Sequence, residues 1–277
     1  MKKVLTIAGS DCSGGAGIQA DLKTFSAHGV FGMSVVTSVV AENTSRVIDY
    51  EDVSPELIEK QILSIYEDIG TDSVKIGMLS GEVTMRAVVK GLKEFKPSNV
   101  VIDPVMYAKN GCALMDPKSI DTLINEVLPL ADLITPNIPE AEHIAGMKIE
   151  NLEDMKKAAL KIKEMGPGAV LIKGGHAEVV TDVLYDGMEF TLYEGKRINT
   201  KNTHGTGCTL SSSIAANLAL GHSMKNSVGR AKNYIQNVIE NALEIGKGNG
   251  PTNHFYALYK GGLEYVEELL TGNLTDS

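Results

Sequence analysis

The chain has 277 residues, of which 43% are hydrophobic and 22% charged, and its 35 acidic against 26 basic side chains give a formal net charge of -9. That composition belongs to a soluble globular protein long enough for a sizeable core, built as one large α/β domain or two small ones. An acidic balance argues against a nucleic-acid or anionic-membrane surface, so any phosphate handled here must be drawn in locally by helix ends, a few lysines and a metal. Cys12, Cys112 and Cys208 lie far apart with no CxxC pair. They make neither a disulfide framework nor a cysteine zinc site and fit a reducing cytosol. The apolar run 4–8 is too short for a signal peptide, and no stretch approaches the ~20 apolar residues of a membrane span. The expectation is a cytoplasmic protein with no nucleic-acid or membrane partner.

Residues 4–8 (VLTIA) form a short apolar run closed by Gly9, which predicts a buried strand. A polar glycine-rich loop, 10–17 (SDCSGGAG), leads to helical spacing over 18–27. No GxGxxG or GxxxxGK[ST] accompanies it, so neither a dinucleotide fold nor a Walker loop is supported. The β-branched run 34–40 predicts a second strand, with Glu42 just beyond its end. Helices are expected at 55–69 and 82–95, and strands at 74–78 and 99–103, the latter ending in Asp103. A helix over 117–128, a strand at 133–135, a helix opening at Pro139, another at 152–165 and a strand at 169–173 continue the alternation. This rhythm means crossover βαβ units, hence a parallel sheet with helices on both faces. It breaks once, at 180–193, where two alternating runs flank Asp186-Gly187 and predict an antiparallel edge hairpin. A helix with apolar residues at Leu210, Ile214 and Leu218 is then expected, followed by helices around 223–245 and near 258–270, with a polar tail over 271–277. No repeat or linker interrupts the chain, so a single domain is expected, with its core over about 4–262.

Residues 202–217 (NTHGTGCTLSSSIAAN) run from a glycine-containing turn into helical spacing. Glycines permit close backbone approach, and the first amides of a helix point outward with the positive end of its dipole behind them, which suits a phosphate. Cys208 sits in that first turn, where the dipole favours a thiolate. In open α/β sheets ligands bind beyond the carboxyl ends of the strands. Asp11, Asp21, Glu42, Met78, Asp103, Asn137, Glu140 and Lys173 all fall there. Acids, a lysine and an amide-lined anion hole suggest phosphoryl transfer with a divalent metal, which needs charge neutralisation and alignment more than covalent chemistry. Mg²⁺ takes only one or two carboxylates, so Asp103 and Glu140 suffice, directly or through water. Duller readings stand beside these: Asp103 before Pro104 as a turn cap, Glu140 as a helix-start acid and Met78 as core filler. His176 and His204 carry no assigned role.

Eight stretches in order resemble the ribokinase-like kinases, and within them the hydroxymethylpyrimidine phosphate kinases of thiamine synthesis. They are 6–25, 39–44, 74–79, 101–111, 133–141, 171–176, 199–212 and 246–251. The resemblance implies a three-layer α/β/α fold with a mostly parallel central sheet. It also implies ATP- and Mg²⁺-dependent phosphorylation of 4-amino-5-hydroxymethyl-2-methylpyrimidine and then of its monophosphate, by a homodimer. Matching positions imply that Glu42, with Asp21, Val40 and Met78, holds the pyrimidine. Lys173 and Asn137 would face the ATP phosphates, Lys109 would ride on a mobile lid over 105–115, and Gly205, Thr206, Gly207 and Cys208 would form the anion hole. Many relatives place an aspartate base where this chain has Cys208, so a thiolate there would assist deprotonation in the first step more than in the second. Pyridoxal kinase, which shares the fold, is the alternative; Ala108 counts against it and Cys112 for it. A non-catalytic nucleotide sensor is a reading from another class.

Overall fold

The structure is a computed structural model that describes residues 1–107, 111–175 and 179–262. Its frame is a sheet in the order β10-β9-β8-β7-β6-β5-β1-β2. The strands β1 (Lys3–Ala8), β2 (Phe31–Val36), β5 (Ser73–Ile76), β6 (Val100–Ile102), β7 (Leu133–Ile134) and β8 (Val170–Ile172) are mutually parallel. β9 (Val179–Tyr185) and β10 (Phe190–Lys196) close one edge as the expected antiparallel hairpin, β9 pairing with β8. The central strands are mostly apolar on both sides because both faces are covered, with Thr6 and Lys75 as buried polar exceptions.

The two faces carry separate cores. Leu5, Ile7, Ile76 and Ile102 pack with Ile58 and Ile62 of α2 (Pro55–Asp68), Met85 and Val88 of α3 (Glu82–Phe95), Ile144 of α5 (Ile138–Ala145) and Ala158 of α6 (Leu152–Lys163). Val4, Val101, Leu133 and Leu171 pack on the opposite face with Phe25 of α1 (Gly17–Ala27), Ile214 of α7 (Thr206–Ala219) and Val228 and Ile235 of α8 (Met224–Glu240). Every residue of α7 from Thr209 to Ala219 is buried, as expected of a helix with small or apolar residues all round. The anion loop is therefore mounted on the most enclosed helix described.

Two predicted elements differ. The β-branched run 34–40 is not one strand: β2 stops at Val36, and β3 (Ser38–Glu42) leaves the main sheet to pair with β4 (Val47–Asp52). Thr37 is the hinge, its amide donating to Ala8 and its hydroxyl to the Met78 carbonyl. Propensity is uniform across this run, so only the tertiary bonds of Thr37 mark the break. The helix predicted over 117–128 is a chain of short turns instead. A 3-10 turn (Pro117–Ser119), α4 (Ile120–Thr122), a π turn (Leu123–Val127) and a second 3-10 turn (Leu128–Leu130) follow one another. Pro129 near its end has no amide to continue a regular helix. Helical backbone resumes over 256–262; the rest of the last predicted helix and the tail lie outside the described residues, as do Lys109 and His176. Among the described residues no helix is long and apolar enough to cross a membrane.

Candidate active site

The chain order reverses between β1 and β5, and the crevice at their carboxyl ends is the place such a sheet offers a ligand. A cavity of about 900 Å³ opens there. It is lined by Glu42 from β3, Met78 beyond β5, Asp103 beyond β6, Glu140 in α5, Lys173 beyond β8, and residues 204–208 at the start of α7.

Residues 9–17 build one wall. The Asp11 carboxylate accepts from the amides of Ser13 (2.7 Å), Gly15 (3.0 Å) and Ala16 (2.7 Å), and from His204 Nε2 (2.8 Å). Burial works to raise its pKa, but these bonds and the His204 charge win and hold the carboxyl well below the usual carboxylate range. Gly205 caps α7 with φ 75°, and a Cβ there would lie 1.8 Å from the Gly15 carbonyl. Only glycine satisfies both the left-handed backbone and that contact. The two glycine loops are thus interlocked.

The first turn of α7 then faces a buried ion pair. Lys173 Nζ lies 2.7 Å from Asp103 Oδ1, which also accepts from Thr135 Oγ1 at 3.0 Å. A Cβ on Gly207 would sit 3.2 Å from Asp103 Oδ2 and 3.6 Å from Lys173 Nζ, so glycine there keeps the helix start open to both groups. Burial lowers the Lys173 pKa, but Asp103 and Glu140 outweigh it and the ammonium is favoured. Burial pushes Glu140 up to about 7, against Lys173 and with Asp103. Glu140 is also the third residue of a capping box: the Asn137 amide donates to its Oε2 (2.8 Å), and its own amide donates to Asn137 Oδ1 (2.9 Å). The helix-start reading of Glu140 is realised by the capping box, and the same side chain lines the cavity.

Glu42 belongs to a second charged group. One ligand atom each of Asp11, Glu42 and His204 lie within 4.8 Å of one another. Burial and the Asp11 charge push Glu42 up to about 7, against His204. Burial lowers the His204 pKa, but Asp11 and Glu42 raise it further. Such spacing would suit a cation, yet Asp11 Oδ2 already accepts from Gly15, Ala16 and His204.

Three expectations are corrected. Cys208 is not a thiolate: burial pushes its thiol up to about 11, outweighing the Lys75 ammonium and the Gly17 amide. Helix-dipole stabilisation within one turn does not offset that desolvation. Asp21 does not reach the cavity. It is fully buried, pairing with Lys75 Nζ at 2.8 Å and accepting from Thr6 and Ser212, each at 2.6 Å. Val40 is likewise buried, its amide bonded to Ser10 Oγ at 3.3 Å, and is not part of the lining. Asn137 lines the cavity while its Oδ1 caps α5.

Sequence reading left two groups unused. His204 stood one residue before the anion-loop glycine without a role, and a histidine there says nothing of Asp11 and Glu42 on distant elements. Lys75 was detectable as a lone charge inside an apolar strand, which demands a buried partner; it lies under α7 with Asp21.

The family model described as phosphomethylpyrimidine kinase matches residues 11–253. A hydroxymethylpyrimidine/phosphomethylpyrimidine kinase of Bacillus subtilis (strain 168) is 45% identical over 256 residues, covering 91% of this chain and 94% of the relative. Among solved structures, the phosphomethylpyrimidine kinase of Clostridium difficile 630 superposes with a TM-score of 0.78 at 46% identity, over 86% of this chain and all (100%) of that one. An ADP complex of Bacillus subtilis pyridoxal kinase gives a TM-score of 0.86 at 39% identity, over 94% and 99%.

Proposed function

The chain belongs to the phosphomethylpyrimidine kinase family and is a phosphotransferase of thiamine biosynthesis, and we propose that it phosphorylates 4-amino-5-hydroxymethyl-2-methylpyrimidine and then the resulting monophosphate. ATP is the donor, as the nucleotide complexes of similar kinases indicate. The observation that carries this reading is the single cavity lined by Glu42 and Met78 together with Asp103, Lys173 and the start of α7.

In this reading Glu42 and Met78 hold the pyrimidine with its hydroxymethyl group turned toward α7. Lys173 supplies positive charge to the ATP phosphates, and Asp103 keeps that ammonium in place. The amides of Gly207 and Cys208, which have no intrahelical partner, stabilise charge on the transferred phosphoryl group. Cys208 contributes its amide, and its neutral thiol is a poor base. A loose phosphoryl-transfer transition state asks little of a base, so alignment and charge carry the rate.

The donor set suits Mg²⁺: two carboxylates, Asp103 and Glu140, border an open cavity where the ion keeps its remaining waters. When bound it would neutralise the phosphate oxygens, and the same charge would ionise Glu140. A single cytoplasmic domain working as a homodimer completes the proposal, the assembly being checked by light scattering.

The testing experiment is ADP release with the pyrimidine alcohol, its monophosphate and pyridoxal in parallel. Turnover of both pyrimidines well above pyridoxal is expected. Preference for pyridoxal would transfer the protein to its structural neighbour's activity. ATP binding without acceptor-dependent turnover would make it a sensor.

A further inference from the structure

One group at the acceptor end has no part in the mechanism above: the His204–Asp11 pair. His204 Nε2 lies 2.8 Å from Asp11 Oδ2, and the Glu42 carboxylate lies within 4.8 Å of both. The other groups bordering Glu42 are Cys12, whose thiol donates to the Glu42 carbonyl at 3.1 Å, and Arg46 and Cys208 in the cavity lining. Asp11 is saturated by three amides and the imidazole, so it stays a carboxylate and favours the cationic form of His204.

The acceptor named above presents a 4-amino group beside ring nitrogen N3, one donor next to one acceptor. A carboxylate offers acceptors only and satisfies half of that edge; a carboxylic acid accepts from the amine and donates to N3. We propose, on the basis of the pyrimidine kinase reading, that His204, held by Asp11, is a positioning residue that controls the protonation of Glu42, so that the aminopyrimidine is bound with one proton shared between Glu42 and N3. The proton resides on Glu42 before binding, bridges Oε and N3 in the complex, and returns to Glu42 on release. With Asp11 negative, His204 positive and Glu42 neutral the cluster has no net charge. Ionising Glu42 leaves a buried net charge of -1 on the cluster. Burial and the Asp11 charge raise the Glu42 pKa and the His204 cation opposes them, which places the release of the proton at about pH 7. A pyridine ring can accept the proton at its nitrogen but has no amino group beside it to donate back, so it makes one of the two bonds and pyridoxal is held less well.

Steady-state KM for the pyrimidine alcohol, measured from pH 5.5 to 9, tests this. In the unaltered enzyme KM rises above about pH 7, as the Glu42 proton is lost. His204→Gln keeps a side-chain donor for Asp11 but removes the positive charge. The rise in KM then moves upward by at least about one pH unit, the lower bound for a charge a few ångströms away, while the thermal midpoint stays near that of the unaltered enzyme. Glu42→Gln is the amide counterpart of the protonated acid, so its KM keeps only the substrate's own ring titration. A KM curve unmoved by His204→Gln, or a Glu42→Gln variant in which KM still climbs tenfold per unit above pH 7, overturns the assignment. If the unaltered enzyme does not turn over the pyrimidine, the kinase reading itself has failed. If it does and only the pH curves disagree, the shared proton alone is wrong.

Discussion

Replacing Lys173 by Met separates what the Lys173–Asp103 pair does for stability from what it does for catalysis. Asp103 is 2% exposed, and its Oδ1 holds Lys173 Nζ at 2.7 Å. Removing one member of a buried pair costs about 3–5 kcal/mol, because the other charge is left stranded. The lower figure applies: the lysine side chain is 16% accessible, and Thr135 still donates to Asp103. Glu140 adds no second stranded charge, since its pKa of about 7 is already raised and loss of the ammonium raises it further. A chain of this size loses about 2–4 °C of melting temperature per kcal/mol, so Lys173→Met melts about 6–12 °C lower. Turnover falls about a thousandfold with the charge at the transferring phosphoryl group. The paired change, Asp103→Asn with Lys173→Met, removes the stranded charge, and its melting temperature returns to within a few degrees of the original. Its kcat stays low. Differential scanning fluorimetry and coupled ADP release read both quantities. Equal melting temperatures for the single and paired variants, or recovered turnover in the paired one, would refute the argument.

Three further outcomes follow from the same structure. Lys75→Met leaves fully buried Asp21 with hydroxyl partners only, and the melting temperature falls by about 10 °C; an unchanged melt would mean the pair contributes nothing net. Glu140 is raised to about 7 in the folded chain, so between the ordinary carboxylate range and pH 7 the folded state binds more protons than the unfolded one. Stability therefore falls as pH rises through that window, by about 3 kcal/mol from this residue. Urea midpoints at several pH values check it, and Glu140→Gln should flatten the curve; stability that increases with pH there would contradict the sign. Cys208→Ala costs kcat less than about tenfold, because the thiol is not ionised near neutrality and the amide is retained. A hundredfold loss confined to the first phosphorylation would reinstate a thiolate base.

Much of this protein is written locally in its chain. Apolar runs closed by glycine or an acid mark β1 and β6, the Asp186-Gly187 turn marks the edge hairpin, and helical spacing marks α2 and α3 to within a residue or two. These elements are short-range consequences of period and turn chemistry. The site residues at strand ends were legible for the same reason: Glu42, Met78, Asp103, Glu140, Lys173 and residues 205–208 were expected at one rim, and all line one cavity.

What the sequence could not specify depends on neighbours remote in the chain. Nothing in the run 34–40 distinguishes Thr37 from the residues on either side; its bonds to Ala8 and Met78 turn the strand out of the sheet. Asp21 and Asp103 are both acids near strand ends, yet α7 covers the first with Ser212 and leaves the second facing Gly207. Ionisation is the clearest case. A helix start predicts a thiolate at Cys208, whereas burial keeps the proton on it, and His204 has meaning only because folding sets it against Asp11 and Glu42. Periodicity and turn chemistry act over a few residues and can be read from order alone. Desolvation and charge coupling are sums over everything packed around a group, so they exist only once the chain has closed.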